Sequence, residues 1–129
     1  MAHKTTGVFR VPVSENGIEP TALNIMLNND SCNNTHRVSV IVEKSVNTFF
    51  PNTNPLNEIE HTHVTLMPNH TTKIVIFRPR FNLEDFLNIT IRGREEAVEN
   101  ILVYSFLADS AGHNIPSTVF NNQDYTFDD

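Results

Sequence analysis

His61-Thr62-His63-Val64-Thr65-Leu66-Met67-Pro68-Asn69-His70-Thr71-Thr72-Lys73-Ile74-Val75-Ile76-Phe77-Arg78 holds two strand-like runs around one turn. From His61 to Met67 the residues alternate, with Thr62, Val64 and Leu66 on one side and His61, His63, Thr65 and Met67 on the other. Successive side chains of a strand point to opposite faces, so this pattern predicts a strand buried on its Val64/Leu66 face. Pro68-Asn69 breaks the run: proline lacks an N–H and fixes φ, and asparagine tolerates turn conformations. Lys73 to Phe77 then resumes, apolar on both faces. In antiparallel sandwiches such a turn carries the chain from one sheet to the other, and both strands are expected near the middle of the fold.

The same alternation recurs on either side. Thr21 to Leu27 places Leu23, Ile25 and Leu27 on one face, and Arg37 to Lys44 places Val38, Val40 and Val42 on one face. These two runs read as a hairpin with a long exposed loop. Phe86 to Arg92 turns Leu87, Ile89 and Ile91 inward and ends at Gly93. Arg94 to Ala97 reads as a charged turn before a strand over Val98 to Ala108, which is apolar on both sides from Ile101 to Leu107. Phe81 to Asp85 reads as one helical turn, Asp109 to Asn114 as a turn, and Ile115 to Phe120 as a short last strand. Tyr125 and Phe127 are placed to pack on the body. Without an amphipathic helix of ten residues, the class is all-β: an antiparallel two-sheet sandwich, jelly-roll or immunoglobulin-like, of 7–9 strands.

Residues 1–6 read as flexible. Gly7 to Val13 is a β-prone run, and Glu15-Asn16-Gly17 is a turn signal that sets it apart. Residues 1–13 are therefore read as an N-terminal arm, and 14–129 as one sandwich domain. The ordinary alternative is a plain first strand. The functional one is an arm that completes a neighbour's sheet through Val8, Phe9, Val11 and Val13.

The chain has 129 residues, a formal charge of -6 and one cysteine. An acidic chain of this kind lacks the positive footprint that nucleic acid requires. No stretch approaches the ~20 apolar residues of a membrane span. Met1-Ala2-His3-Lys4-Thr5-Thr6 has no apolar core and does not read as a secretory signal. Cys32 is alone, so it is a free thiol in a polar loop or the half of an intermolecular bond. Asn28, Asn29, Asn33, Asn34, Asn47, Asn52, Asn54 and Asn57 crowd the loops, where asparagine suits turns.

Candidate chemistry is sparse. His61 and His63 lie two apart on one strand, a spacing that suits a transition metal. Ile59 precedes them on that face and cannot ligate, and Glu60 belongs to the opposite face. There is no Gly-x-Ser-x-Gly, no calcium loop and no glycine-rich phosphate loop, so no enzyme is expected and no cofactor is assigned. Phe49 and Phe50, in the irregular stretch 46–58, read as tucked under the sandwich.

The runs Lys73–Phe77 and Ile101–Leu107 have more to bury than a lone sandwich offers, because one face of each antiparallel sheet normally meets water. Each further buried Val, Ile or Phe is worth about 1.5–3 kcal/mol. Cover must come from the 46–58 loop, the tail or another subunit.

The stretches Ala22-Leu23-Asn24-Ile25-Met26-Leu27-Asn28-Asn29, Val38-Ser39-Val40-Ile41-Val42, Val64 to Thr72, Leu87-Asn88-Ile89-Thr90-Ile91, Val103-Tyr104-Ser105-Phe106 and Asp109 to Pro116 form one pattern. Together they resemble small β-sandwich spore-surface proteins of Gram-positive spore formers, including subunits of the endospore appendage, a pilus-like fibre. The resemblance implies a self-assembling, non-enzymatic protein of the cell or spore surface whose N-terminal connector docks into the next subunit. The disulfide-linked type carries paired cysteines in that connector, and this chain has none there. The leading expectation is a homopolymeric fibre subunit joined by β-strand contacts, from which deleting residues 1–13 leaves a folded, non-polymerising domain. The alternative is a soluble binding module for carbohydrate or metal, with the 46–58 loop and His61/His63 as its site.

Overall fold

The computed structural model describes residues 1–46 and 53–128. Phe49 and Phe50 lie outside the described residues. Nine strands form two antiparallel sheets among them. The strands are β1 (Ala2–Thr5), β2 (Phe9–Arg10), β3 (Ala22–Asn29), β4 (His36–Ser45), β5 (Asn57–Leu66), β6 (Thr71–Phe77), β7 (Phe86–Gly93), β8 (Ile101–Ala108) and β9 (Thr126–Asp128). One short helix, α1 (Glu95–Asn100), precedes β8. The larger sheet has the order β5-β4-β7-β1-β9 with β2 also on β7, and the smaller has the order β6-β3-β8.

The alternation in the sequence sets which face each strand buries. Leu23, Ile25 and Leu27 of β3 meet Val38, Val40 and Val42 of β4 and Leu87, Ile89 and Ile91 of β7 in one core. All nine are nearly or fully buried. Val64 and Leu66 complete the core from β5, as their position opposite His63 and Thr65 requires. The result is the expected all-β two-sheet sandwich.

Pro68-Asn69 does carry the chain between sheets. β5 belongs to the larger sheet and β6 to the smaller, and Asn69 takes the left-handed conformation at φ 57°. The two strands are not central, however: each is an edge strand of its sheet. β5 tolerates this because Glu58 and Glu60 put charge on it, which discourages further pairing.

β3 and β4 are not a hairpin either. They lie in opposite sheets, and the segment 30–35 crosses between them. Each strand has one apolar face, and facing each other across the core buries both. Asn29 fastens this crossing. Its Nδ2 donates to Asn34 O at 2.8 Å and to Leu66 O at 2.9 Å, and its Oδ1 accepts from Ser31 N at 2.9 Å. Asn29 is fully buried with every side-chain group in use.

The N-terminal segment is part of the body, which corrects the reading of residues 1–6 as flexible. β1 inserts between β7 and β9, and β2 follows along the same edge of β7. Thr6 N bonds Ile89 O, and Val11 exchanges backbone bonds with Asp85 and Glu84. Gly7, at φ 74°, supplies the kink between β1 and β2. The physical reason lies in alternate burial: Ala2, Lys4 and Val11 all face inward and are sealed from water. Of the four residues assigned to an arm, Val11 is in the core and Phe9 packs its ring 4.8 Å from that of Phe120. Val8 and Val13 are exposed.

Three local readings also change. Glu95–Asn100 forms α1, with Arg94 at its N-cap, rather than a turn and a strand start, and β8 begins at Ile101. Residues 81–85 form turns, with Glu84 at φ 70°, instead of a helical turn. Pro116 starts a 3-10 turn over Pro116–Thr118 where a last strand was expected. There the Thr118 hydroxyl accepts from Leu107 N at 3.0 Å, replacing a ladder bond.

Candidate functional site

The two sheets present opposite chemistry to the outside. On the smaller sheet, register fixes the outward rows. Val75, Asn24 and Phe106 form one, Lys73, Met26 and Tyr104 the next, and Phe77, Ala22 and Ala108 a third. Thr71, Asn28 and Leu102 follow. The two runs that read as apolar on both faces are therefore the flanks of one three-stranded sheet. Their inner sides enter the core; their outer sides surround Met26 with Val75, Phe77, Leu102, Tyr104 and Phe106. The Tyr104 and Phe106 rings lie 5.4 Å apart.

On this face Met26, Lys73 and Phe77 are exposed, and Val75, Leu102, Tyr104 and Phe106 are half-buried. Phe77 is 62% exposed and Met26 36%. Two shallow depressions of about 800 and 650 Å³ lie on it, meeting at Met26 and Lys73. Tyr125 does pack inward, but beneath β8: its hydroxyl and Ser105 Oγ are 2.6 Å apart in the core. Burial raises the Tyr125 pKa, and the Ser105 hydrogen bond opposes this only in part. Phe127 is 41% exposed on β9, at the far edge of the larger sheet.

The larger sheet turns a polar face outward. Register aligns His63, Ser39, Arg92, His3 and Asp128 in one row across β5, β4, β7, β1 and β9. His61, Ile41, Thr90, Thr5 and Thr126 form the next. The ladder neighbours in each row lie about 4.5–5.5 Å apart, close enough for side chains to touch.

His61 and His63 share this face, with ring centroids 5.1 Å apart. Each already has a partner. His61 Nδ1 is 2.9 Å from Glu58 Oε1, and His63 Nδ1 is 2.9 Å from Ser39 Oγ. No cluster of three His, Cys, Asp or Glu with metal-binding geometry occurs among the described residues. Glu60 stays off this site: it accepts from Thr62 Oγ1 and from Arg80 at 2.6 Å. Those two hydrogen bonds, Thr62 first, hold its carboxyl below the usual range. Cys32 is an exposed free thiol in the 30–35 crossing.

Lys4 was missed by sequence reasoning. Its side chain turns inward, and Nζ donates to Ile101 O and to Asn122 Oδ1 at 2.8 Å. Burial lowers its pKa from 10.5 to about 8. The alternation of Ala2, Lys4 and the later apolar positions was the available signal. A lysine at an inward position reads as exposed unless the end of its chain is known to meet acceptors.

Compared with family profiles, curated proteins and solved structures, the chain matches none.

Proposed function

We propose that this chain is a non-enzymatic structural subunit that self-associates into a fibre or layer at a cell or spore surface. Copies would meet through the outer face of the β6-β3-β8 sheet rather than through an exchanged N-terminal arm. One observation carries this reading: the outer face of the β6-β3-β8 sheet leaves Met26 and Phe77 exposed beside half-buried Val75, Leu102, Tyr104 and Phe106. A monomer gains nothing by exposing Met26, Phe77 and Phe106 together, whereas an assembly buries them.

The occupant that suits this face best is a second copy. Its centre is uncharged apart from Lys73, so stacking two such faces brings together little like charge. Met26 lies in the middle of the rows, flanked by aromatic rings on one side. Unbranched and polarisable, it can adapt to the matching residue of a partner. The resemblance of residues 20–116 to appendage subunits supports the same class of function.

Light scattering over a concentration series tests the proposal, with negative-stain microscopy of the same samples. Wild-type protein is expected to grow in mass with concentration. Met26→Glu and Phe106→Glu are expected to remain monomeric while keeping wild-type circular dichroism. A wild-type protein that stays monomeric at several hundred micromolar overturns the proposal.

The ring pair Tyr104/Phe106 beside Asn24 favours one second reading, a sugar-stacking surface on the same face. A glycan array distinguishes it: a monomer that binds an oligosaccharide and loses it on Tyr104→Ala would replace the assembly reading.

A further inference from the structure

The polar face of the larger sheet gathers positive charge on an acidic protein. Three of the nine Lys and Arg residues, Arg37, Arg92 and Arg94, line one cleft of about 450 Å³ at the α1 end of β4 and β7. All three are exposed. The arginine ion pairs found among the described residues use Arg10, Arg78 and Arg80 and none of these three. Ser39 and His63, joined by their 2.9 Å hydrogen bond, form part of the same wall. Among the described residues of the lining, Glu96 is the one carboxylate.

Arg37 and Arg92 sit on adjacent strands: Arg92 is level with Ser39, two residues along β4 from Arg37. Guanidinium groups at that spacing match the oxygen geometry of a compact oxyanion, which they hold by charge-assisted hydrogen bonds.

We infer that this cleft is a binding site for a phosphate or sulfate group, held by Arg37 and Arg92 with Arg94, Ser39 and His63 around it. The site lies on the sheet opposite the proposed stacking face, so it stands or falls separately from the assembly reading. Arg92 is the centre of the site because it lies between Ser39 and His3 in the cross-strand row.

Thermal unfolding and side-chain NMR of the full chain test this, using sodium phosphate and sodium sulfate against sodium chloride at equal ionic strength. The expected result is a saturable rise in Tm with phosphate or sulfate beyond that with chloride, together with shifts of the Arg and His side-chain signals of the cleft. Arg37→Gln and Arg92→Gln should each weaken the response at least about tenfold, the loss expected for one charge-assisted contact. Lys73→Gln, on the opposite sheet, should leave it intact. Both arginines are exposed, so their variants should fold. A response equal to that of chloride, or one that survives in the Arg37→Gln/Arg92→Gln double variant, overturns the inference. Sulfated and unsulfated forms of one soluble polysaccharide then separate a free ion from an esterified one: tighter binding of the sulfated form assigns the site to an ester, and equal binding to the free ion.

Discussion

Lys4 Nζ donates to Asn122 Oδ1 at 2.8 Å, tying the first strand to the last turn of the chain. The same nitrogen reaches Ile101 O at the start of β8. Neither acceptor is a carboxylate, so the ammonium is buried with hydrogen bonds but without a counter-charge at these contacts. Desolvation therefore decides its behaviour.

The sign of the pH effect follows. Lys4 holds its proton to about pH 8 when folded and to about 10.5 when unfolded. Between these values the unfolded chain binds more protons, so its contribution to stability rises with pH. The shift from 10.5 to about 8, at about 1.4 kcal/mol per unit, caps the gain at about 3.5 kcal/mol. Tyr125 opposes it above about pH 10, where the unfolded phenol ionises and the buried one does not. Urea unfolding from pH 7 to 11 should show stability rising and then falling, and Lys4→Met should remove the rise alone. A wild-type profile that falls steadily from pH 8 would refute the assignment.

Asn29 should prove the most sensitive asparagine of the chain. Replacing it with Leu leaves Asn34 O, Leu66 O and Ser31 N without their partner at the crossing between sheets. At about 1 kcal/mol for each lost bond, the expected cost is about 3 kcal/mol. Chemical denaturation of Asn29→Leu beside Asn33→Leu, an exposed position, measures the contrast.

Ser105 and Tyr125 form a closed polar pair in the core. Tyr125→Phe strands the buried Ser105 hydroxyl and should cost about 1–2 kcal/mol. Adding Ser105→Ala removes the stranded group, so the double variant should be less destabilised than the two single losses added together. The double-mutant cycle reads this directly.

Deleting residues 1–11 should unfold or aggregate the protein. It strips a ladder from the whole length of β7 and removes Ala2 and Val11 from the core. A synthetic peptide of residues 1–13 supplied in trans should restore solubility. A soluble, cooperatively folding truncated chain, measured by calorimetry, would instead return the segment to the role of a detachable arm.

The reach of the sequence is clearest at β3, β4 and β7. Their strict alternation of Leu, Ile and Val named the buried face of each strand, and Pro68-Asn69 located the passage between sheets. Edge positions and partners were not legible, because a strand's own pattern states which face is apolar and not what lies beside it. So the pattern alone puts β5 and β6 in the middle, pairs β3 with β4 and leaves residues 1–6 loose, and the ladders contradict all three. The apolar outer side of the smaller sheet was half visible. Two runs apolar on both sides implied surplus greasy surface, but only the ladders of β3 put both outer sides on one plane.

The sequence by itself determined the class of fold, the strands and the inward side of each, since these follow from a period of two residues read along the chain. The tertiary structure decided which side chains are neighbours across strands. It set Arg92 beside Ser39, closed Lys4 against Asn122, and left Met26 among aromatic rings in the open. Such pairings depend on sheet register, which is set by packing between segments far apart in the chain and is written in no single one of them.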